Sequence, residues 1–270
     1  MDLHLKSRVA VVTGATANIG RAIALELARE GAFVVACGRD AEAGARVTHE
    51  AKSCGASDAV FVAADLREPE APIQIVQQAE KFGPLSILVN GVGGNADQGV
   101  FTQSDPAKWA QDIDLNFGTV LRMSHAVLPS MIQHGAGDIV NIGSTAGLVG
   151  DYALPVYSAM KGAVHAFTVA LAKEVGQHGV RVNAVAPYAT IAQDPAAFSA
   201  GSRFNPANNF FAKSAAMFTE EERALRQRRT FVGRPFAQPE DISGLVAYLV
   251  SRRAGFVTGQ VWSVDGGALL

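Results

Sequence analysis

Val9-Ala10-Val11-Val12-Thr13-Gly14-Ala15-Thr16-Ala17-Asn18-Ile19-Gly20 is the stretch whose reading decides the fold. Its apolar, β-branched start reads as a strand over 9–13. The amphipathic pattern that follows reads as a helix over 18–30. Between them lies a Gly-rich turn that opens directly into the helix. Unpaired N–H groups and the positive end of the helix dipole make such a turn a seat for the pyrophosphate of a dinucleotide. Gly14 supplies the tight turn, and Gly20 lets helix and strand approach closely.

The rest of the chain repeats the strand-to-helix alternation. Further strands read at 33–37, 59–63, 87–90, 138–142, 181–186 and 261–264, and helices at 40–53, 69–82, 105–132, 156–177 and 239–249. Alternation of this kind implies right-handed crossovers and a parallel sheet covered on both faces. The expected fold class is therefore α/β: a single Rossmann-type, doubly wound domain over 1–270 with a seven-stranded parallel sheet. One stretch breaks the rhythm. Residues 188–218 are rich in Ala, Asn and Ser, are interrupted by Pro195 and Pro206, and carry Phe198, Phe204, Phe210, Phe211 and Phe218. So much aromatic surface on a long loop points to a lid over an apolar ligand, ahead of packing against a neighbouring subunit.

Composition narrows the function classes. A formal net charge of −2 argues against nucleic acid or an anionic membrane as the main partner. Arginines at 223, 226, 228 and 229 read as the solvated face of a helix beginning near Thr219, with a grip on a phosphate-bearing substrate as the alternative. Cys37 sits in an apolar run and Cys54 at a helix end, so no disulfide framework is implied. The six histidines have no partners at ligand spacing, so no metal site is expected. With no apolar signal core and no stretch of membrane-spanning length, a cytoplasmic protein is the expectation.

Tyr157 and Lys161 bring chemistry. Four residues apart on a helix, their side chains share one face. A phenol of pKa about 10 is a poor acid, but an ammonium nearby favours the phenolate and makes Tyr a usable proton donor or acceptor.

With these motifs in order, the chain resembles the short-chain dehydrogenase/reductase family along nearly its whole length. Thr13, Gly14 and Gly20 match the family's first motif. Asn18 stands where the family has its middle glycine; Asn tolerates left-handed backbone and is suited to capping the following helix. The resemblance implies cofactor contacts from Thr13, Gly14, Asn18, Ile19 and Gly20. It implies others from Asp65 and Leu66 at the adenine, and from Asn90 and Gly91, where Asn90 and Gly93 match the family and Gly91 and Val92 do not. The end of the second strand decides the ribose phosphate. Gly38 occupies the place of the acidic residue of NAD-preferring members and Arg39 that of the basic residue of NADP-preferring ones. Ala17 lacks a second basic group. NADP is thus favoured, with NAD as the alternative.

The resemblance also implies a catalytic set. Ser144 would hold the substrate oxygen, Tyr157 would pass the proton, and Lys161 would depress the Tyr pKa and bind the nicotinamide ribose. Asn116 would hold a water linking Lys161 to solvent through its backbone carbonyl. Pro187 matches the loop beside the nicotinamide, Tyr188 replaces a glycine there and would narrow the pocket or re-aim the lid, and Thr190 is the candidate for the carboxamide contact. The function so implied is hydride transfer between NADP(H) or NAD(H) and a secondary alcohol or ketone, and the Phe-rich lid and Tyr188 point to an apolar, cyclic or aromatic substrate. Two alternatives stand: a 3-oxoacyl-thioester reductase, and a non-catalytic binding or regulatory subunit. By resemblance the assembly is a homotetramer with the helix at 156–177 in its interfaces.

Overall fold

The computed structural model describes residues 2–94, 99–202, 204–208, 213 and 216–270. Strands and helices alternate as β1 (Val9–Thr13), α1 (Asn18–Arg29), β2 (Phe33–Gly38), α2 (Ala41–Cys54), β3 (Asp58–Ala63), α3 (Ala71–Glu80) and β4 (Leu85–Asn90). There follow α4 (Pro106–Ile113), α5 (Thr119–His134), β5 (Gly137–Ile142), α6 (Ala146–Val149), α7 (Pro155–Val175) and β6 (Val180–Pro187). The chain closes with α8 (Glu220–Arg226), α9 (Pro239–Leu249) and β7 (Val261–Val264). All seven strands form one parallel sheet in the order β3-β2-β1-β4-β5-β6-β7. After β3 the chain returns to lay β4 beside β1. The sheet therefore grows in opposite directions from the β1/β4 seam, and ligands bind beyond the strand C-termini at such a switch point.

Strand β1 shows why the sheet is buried on both faces. Ala10 and Val12 point to one side, into a core with Ile23 and Leu27 of α1, Val47 of α2 and Val246 of α9. Val9 and Val11 point to the other, with Ile75 of α3, Met123 of α5 and Leu171 of α7. A period of two on a continuous apolar run, with helices above and below, is what a central parallel strand requires.

Residues 105–132, expected as one helix, are divided by a π-helical turn over Asp114–Gly118. The buried Asn116 sits in this turn and donates from Nδ2 to the carbonyl of Asp112 (2.9 Å), one turn back. A side chain bonding back into its own helix competes with the main-chain ladder, and single π turns of this kind are frequent at functional sites. Gly162, costly inside a helix, is explained by close packing: a Cβ there would stand 3.3 Å from the carbonyl oxygen of Gly147, where α6 crosses α7. Cys37 is fully buried, and burial pushes its thiol up to about 12.

Candidate active site at the strand C-termini

Thr13 ties the switch point together. Its hydroxyl accepts from the Gly91 amide (2.9 Å) and donates to the Val89 carbonyl (3.3 Å), joining the ends of β1 and β4. Gly14 has φ +66°, and a Cβ there would stand 2.9 Å from the Gly91 carbonyl oxygen. A Cβ on Gly91 would in turn meet the Thr13 carbonyl oxygen at 2.5 Å, so the departure from the family's motif at 91 keeps a residue that fits. At Gly20 any Cβ would collide with the carbonyl of Gly14. Ile19 packs on the core beneath the turn. The result is a cradle of bare backbone at the start of α1.

Asn18 corrects one expectation. Its backbone is left-handed, φ +45°, as an Asn in place of Gly predicts. Its side chain, however, does not cap α1: Ala17 is the N-cap residue and makes no side-chain cap bond. Nδ2 instead donates to the Thr190 carbonyl (3.0 Å), and Oδ1 accepts from the Ala192 amide (3.0 Å).

At the adenosine end, a Cβ on Gly38 would stand 2.8 Å from Cγ2 of Thr16, so a side chain there would have to displace Thr16. Arg39 follows it, exposed. Asp40 caps α2 through the Ala43 amide (3.0 Å), and its second oxygen accepts from the Ala200 amide (3.0 Å). Asp65 is held by Arg67: Nη2 donates to Oδ2 (2.5 Å), while Nε and the Arg67 amide reach Oδ1 (3.0 and 3.1 Å). These bonds hold the carboxyl at about 2. Arg67 was not singled out from sequence, though its place two residues after Asp65 was a usable signal. The carbonyl of the buried Leu66 accepts from Arg122 Nε (2.9 Å).

Asn90 turns its side chain into the core. Nδ2 donates to Asn141 Oδ1 (2.9 Å) and to Ser124 Oγ (3.2 Å), and Asn141 continues to Thr168 (2.9 Å). This buried ladder stitches β4, β5, α5 and α7 below the site.

The structure brings the catalytic candidates into one cluster. Lys161 is buried, and its Nζ donates to the Ile142 carbonyl at the end of β5 (2.8 Å) while lying 5.7 Å from the centroid of the Tyr157 ring. A Cβ on Gly93 would stand 2.9 Å from Lys161 Nζ and 3.0 Å from Asn116 Oδ1, so the β4 loop, α7 and the π turn converge there. Asn116 fixes that loop by exchanging bonds with Gly94, accepting at Oδ1 (3.0 Å) and donating from Nδ2 (2.7 Å). Ser144 follows β5; its Oγ accepts from the Ala146 amide (3.1 Å) and its own amide points at His165 Nε2 (3.5 Å). His165, set aside in the sequence as one of six scattered histidines, lies one turn beyond Lys161. Burial, and then the Lys161 charge, pull its pKa down to about 4.

Beyond β6 the expectations divide. The Pro187 carbonyl accepts from the Thr145 amide (3.1 Å) and braces the turn after Ser144. The Tyr188 hydroxyl accepts from the Arg228 amide (3.2 Å), and the residue borders a groove with Thr230, Val232 and Phe236. It props the 228–236 segment. Thr190 is buried with its hydroxyl donating to the Tyr188 carbonyl (2.7 Å), so the hydroxyl is turned to its own loop.

A cleft of about 240 Å³ opens beside Tyr157, with Trp109, Leu154, Val156, Met217 and Phe218 as its main apolar walls. Gln103, Ser104 and Glu222 add polar groups at its margin. Helix α8 starts near Thr219 as expected, with Thr219 as its N-cap in a capping box with Glu222. Its arginines are not simply a solvated face. Arg226 stacks on the Phe218 ring (4.1 Å), Arg223 donates to the Phe218 carbonyl (2.8 Å), and Arg228 pairs with Asp151. Of the five phenylalanines of the 188–218 stretch, Phe218 lines the cleft and Phe198 packs on Phe204, whereas Phe210 and Phe211 lie outside the described residues.

Comparison with known proteins places this geometry in context. A family model described as short chain dehydrogenase matches residues 8–196, and one described as enoyl-(acyl carrier protein) reductase matches 207–268. The 2-(S)-hydroxypropyl-CoM dehydrogenase 3 of Xanthobacter autotrophicus is 34% identical over 267 residues, covering 99% of this chain and 98% of its own. The acetoacetyl-CoA reductase of Allochromatium vinosum is 30% identical, covering 98% and 99%. The 3-oxoacyl-[acyl-carrier-protein] reductase of Vibrio harveyi is 31% identical, covering 98% of each. A solved short-chain dehydrogenase/reductase from Mycobacterium ulcerans superposes with a TM-score of 0.82 at 26% identity, over 98% of this chain and 90% of that one.

Proposed function

The chain belongs to the short-chain dehydrogenase/reductase family and is an NAD(P)-dependent oxidoreductase, and from that premise we propose how its own residues divide the work. One observation carries the proposal: the buried Lys161 ammonium is anchored on the Ile142 carbonyl within 5.7 Å of the Tyr157 ring. A positive charge held there favours the phenolate, so Tyr157 gives a proton to a ketone oxygen or takes one from an alcohol. Ser144 hydrogen-bonds the same oxygen as charge develops on it. Asn116 holds the loop through Gly94 that shapes the space above Lys161, and its main chain is the candidate relay to solvent.

The residues fit a nicotinamide dinucleotide. Without a Cβ, Gly14, Gly20 and Gly91 let β1, α1 and the loop after β4 close on one another, and the α1 N-terminus held there offers its N–H groups to a pyrophosphate. When bound, the nicotinamide would supply or accept the hydride. Ile19 and Asn90 serve through main chain or packing, Asp65 and Leu66 border the adenine, and Pro187 and Thr190 border the nicotinamide. The ribose phosphate of NADP falls to Arg39, exposed beside the bare Gly38.

In this reading the whole chain works as one catalytic domain with residues 188–218 as its lid. The substrate is a neutral alcohol or ketone with an apolar, cyclic or aromatic body. Trp109 and Phe218 support this, as does the absence of Lys and Arg from the described residues lining the cleft. A 3-oxoacyl thioester is the second reading, favoured by relatives named as acetoacetyl-CoA and 3-oxoacyl reductases. The reading extends to a cytoplasmic homotetramer. Exposed Trp262 on the edge strand β7 and Tyr248 on α9 offer apolar surface for self-association. Among the described residues no helix is long and apolar enough to cross a membrane.

Fluorescence titration with NADPH and, separately, NADH tests the assignment. NADPH should bind tighter. Arg39→Ala should weaken NADPH by about tenfold or more, the loss of a charge-assisted bond, and NADH little. Equal weakening of both removes the case for NADP; binding of neither removes the cofactor site.

A further inference from the structure

The segment leaving β6 does not hang free. Within three residues of Pro187 it reaches the loop after β1, where Asn18 takes both the Thr190 carbonyl and the Ala192 amide (3.0 Å each). By residue 200 it has reached the loop after β2, where Asp40 accepts from the Ala200 amide (3.0 Å). In the sheet order β2-β1-β4-β5-β6, a chain that starts at β6 and touches these two loops runs along the C-terminal edge past β5 and β4. It thereby borders the β1/β4 seam, the place where a dinucleotide lies.

Its root is fixed independently. Ala237 donates to the Ala189 carbonyl (2.9 Å) and accepts from the Ile191 amide (3.0 Å), forming an isolated parallel bridge at Thr190. Its middle is packed, with Ala197, Phe198 and Ser199 buried. Neither clasp is needed for its local element. Asn18 is not the cap of α1, and Asp40 caps α2 with the oxygen that does not hold the strap. Glycine in place of Asn18 would satisfy the +45° φ equally well and would hold nothing.

We propose that residues 188–202 form a strap over the dinucleotide groove and that Asn18 and Asp40 are positioning residues that clasp it at two points. The first clasp lies at the pyrophosphate end and the second at the adenosine end, so the cofactor exchanges only when they open. This rests on the cofactor reading above and adds its release step. The pair also gives Asn18 a purpose that a simple loss of glycine does not.

Two variants test it without threatening the fold. Asn18→Gly keeps the backbone conformation and removes both bonds. Asp40→Ser keeps an N-cap for α2 but is too short to reach residue 200. Amide hydrogen exchange on the protein alone should show protection lost around Ala192 in the first variant and around Ala200 in the second, with β1 and α1 unchanged. Stopped-flow dissociation of NADPH, or of NADH where that binds tighter, should quicken about tenfold in Asn18→Gly, two hydrogen bonds being lost, and several-fold in Asp40→Ser. Dissociation at the wild-type rate despite lost protection overturns the strap as a gate. Unchanged protection overturns the clasps themselves. Wild-type protein that binds neither nucleotide overturns the cofactor reading and the gate with it, while the exchange data still report whether the clasps exist.

Discussion

The two edges of the sheet handle charge in opposite ways. At the N-terminal edge Asp138, at the start of β5, sits between Arg8 (2.7 Å) and Arg181 (2.6 Å). Burial raises the pKa of its carboxyl, and the two guanidiniums oppose the rise. Their remaining N–H groups are spent on main chain: Arg8 donates to Val250 (2.5 Å) and Ser86 (3.1 Å), and Arg181 to Ala254 (2.7 Å), Val257 (3.1 Å) and Ser251 (3.1 Å). This edge is closed, each charge answered by a partner. At the C-terminal edge Arg39 is left exposed, a buried ammonium is set beside a phenol, and the backbone is stripped to glycine around an open seat. Strand polarity thus separates the part that holds the fold from the part that does chemistry, and single substitutions should act on one without the other.

The largest expected effect lies on the open edge. Tyr157→Phe should lower kcat by about two to four powers of ten, the ordinary worth of a positioned proton donor, and leave nicotinamide affinity and unfolding midpoint near wild type. Steady-state kinetics beside a cofactor titration check this. Retained turnover would mean that another group passes the proton. The next lies on the closed edge. Asp138→Ala strands two guanidiniums and should cost about 3–5 kcal/mol in denaturant unfolding, the usual result of breaking a buried ion network from one side. Turnover per folded molecule should stay within about twofold, because nothing at that edge touches the site. A variant that loses kcat while unfolding normally would show that the edges are coupled and the comparison false.

Sequence was a good guide to whatever depends on local pattern. Short apolar, β-branched runs marked every strand, and β6 and the helix starts shifted only by a residue or two. The cluster of Asn116, Ser144, Tyr157 and Lys161 was legible because strand ends bring such residues together whatever the loops do. Partner choice across long separations was not. Asn18 reads locally as a cap, yet its amide finds Thr190 and Ala192 more than 170 positions away. Tyr188 reads as narrowing the pocket or re-aiming the lid, and the partner its hydroxyl finds is the amide of Arg228, 40 positions on. Thr190 reads as the carboxamide contact, and sequence does not show that its hydroxyl bonds to the carbonyl two residues back. The π turn at Asn116 escaped for a related reason: helical periodicity is blind to a side chain that bonds back into its own turn.

The smallest effect sharpens the contrast, because it concerns a titratable group on the open edge that the chemistry does not use. His165 is buried beside Lys161 and Ser144, and its pKa is held at about 4, against about 6.5 in an unfolded chain. Between those values the unfolded state binds the proton and the folded state does not, so stability must fall as pH drops from about 6.5 toward 4 and level off below. The slope is at most about 1.4 kcal/mol per pH unit, and about 1–2 kcal/mol should be lost between pH 7 and 5. His165→Asn keeps a polar group near the Ser144 amide and cannot titrate. Urea midpoints at pH 7 and pH 5 should therefore converge in the variant and differ in the wild type. The Asp65 carboxyl, held at about 2, cannot imitate this, since its contribution is lost only at lower pH. Midpoints that separate equally in both proteins would assign the acid sensitivity to other groups and leave His165 as packing for the Ser144 turn.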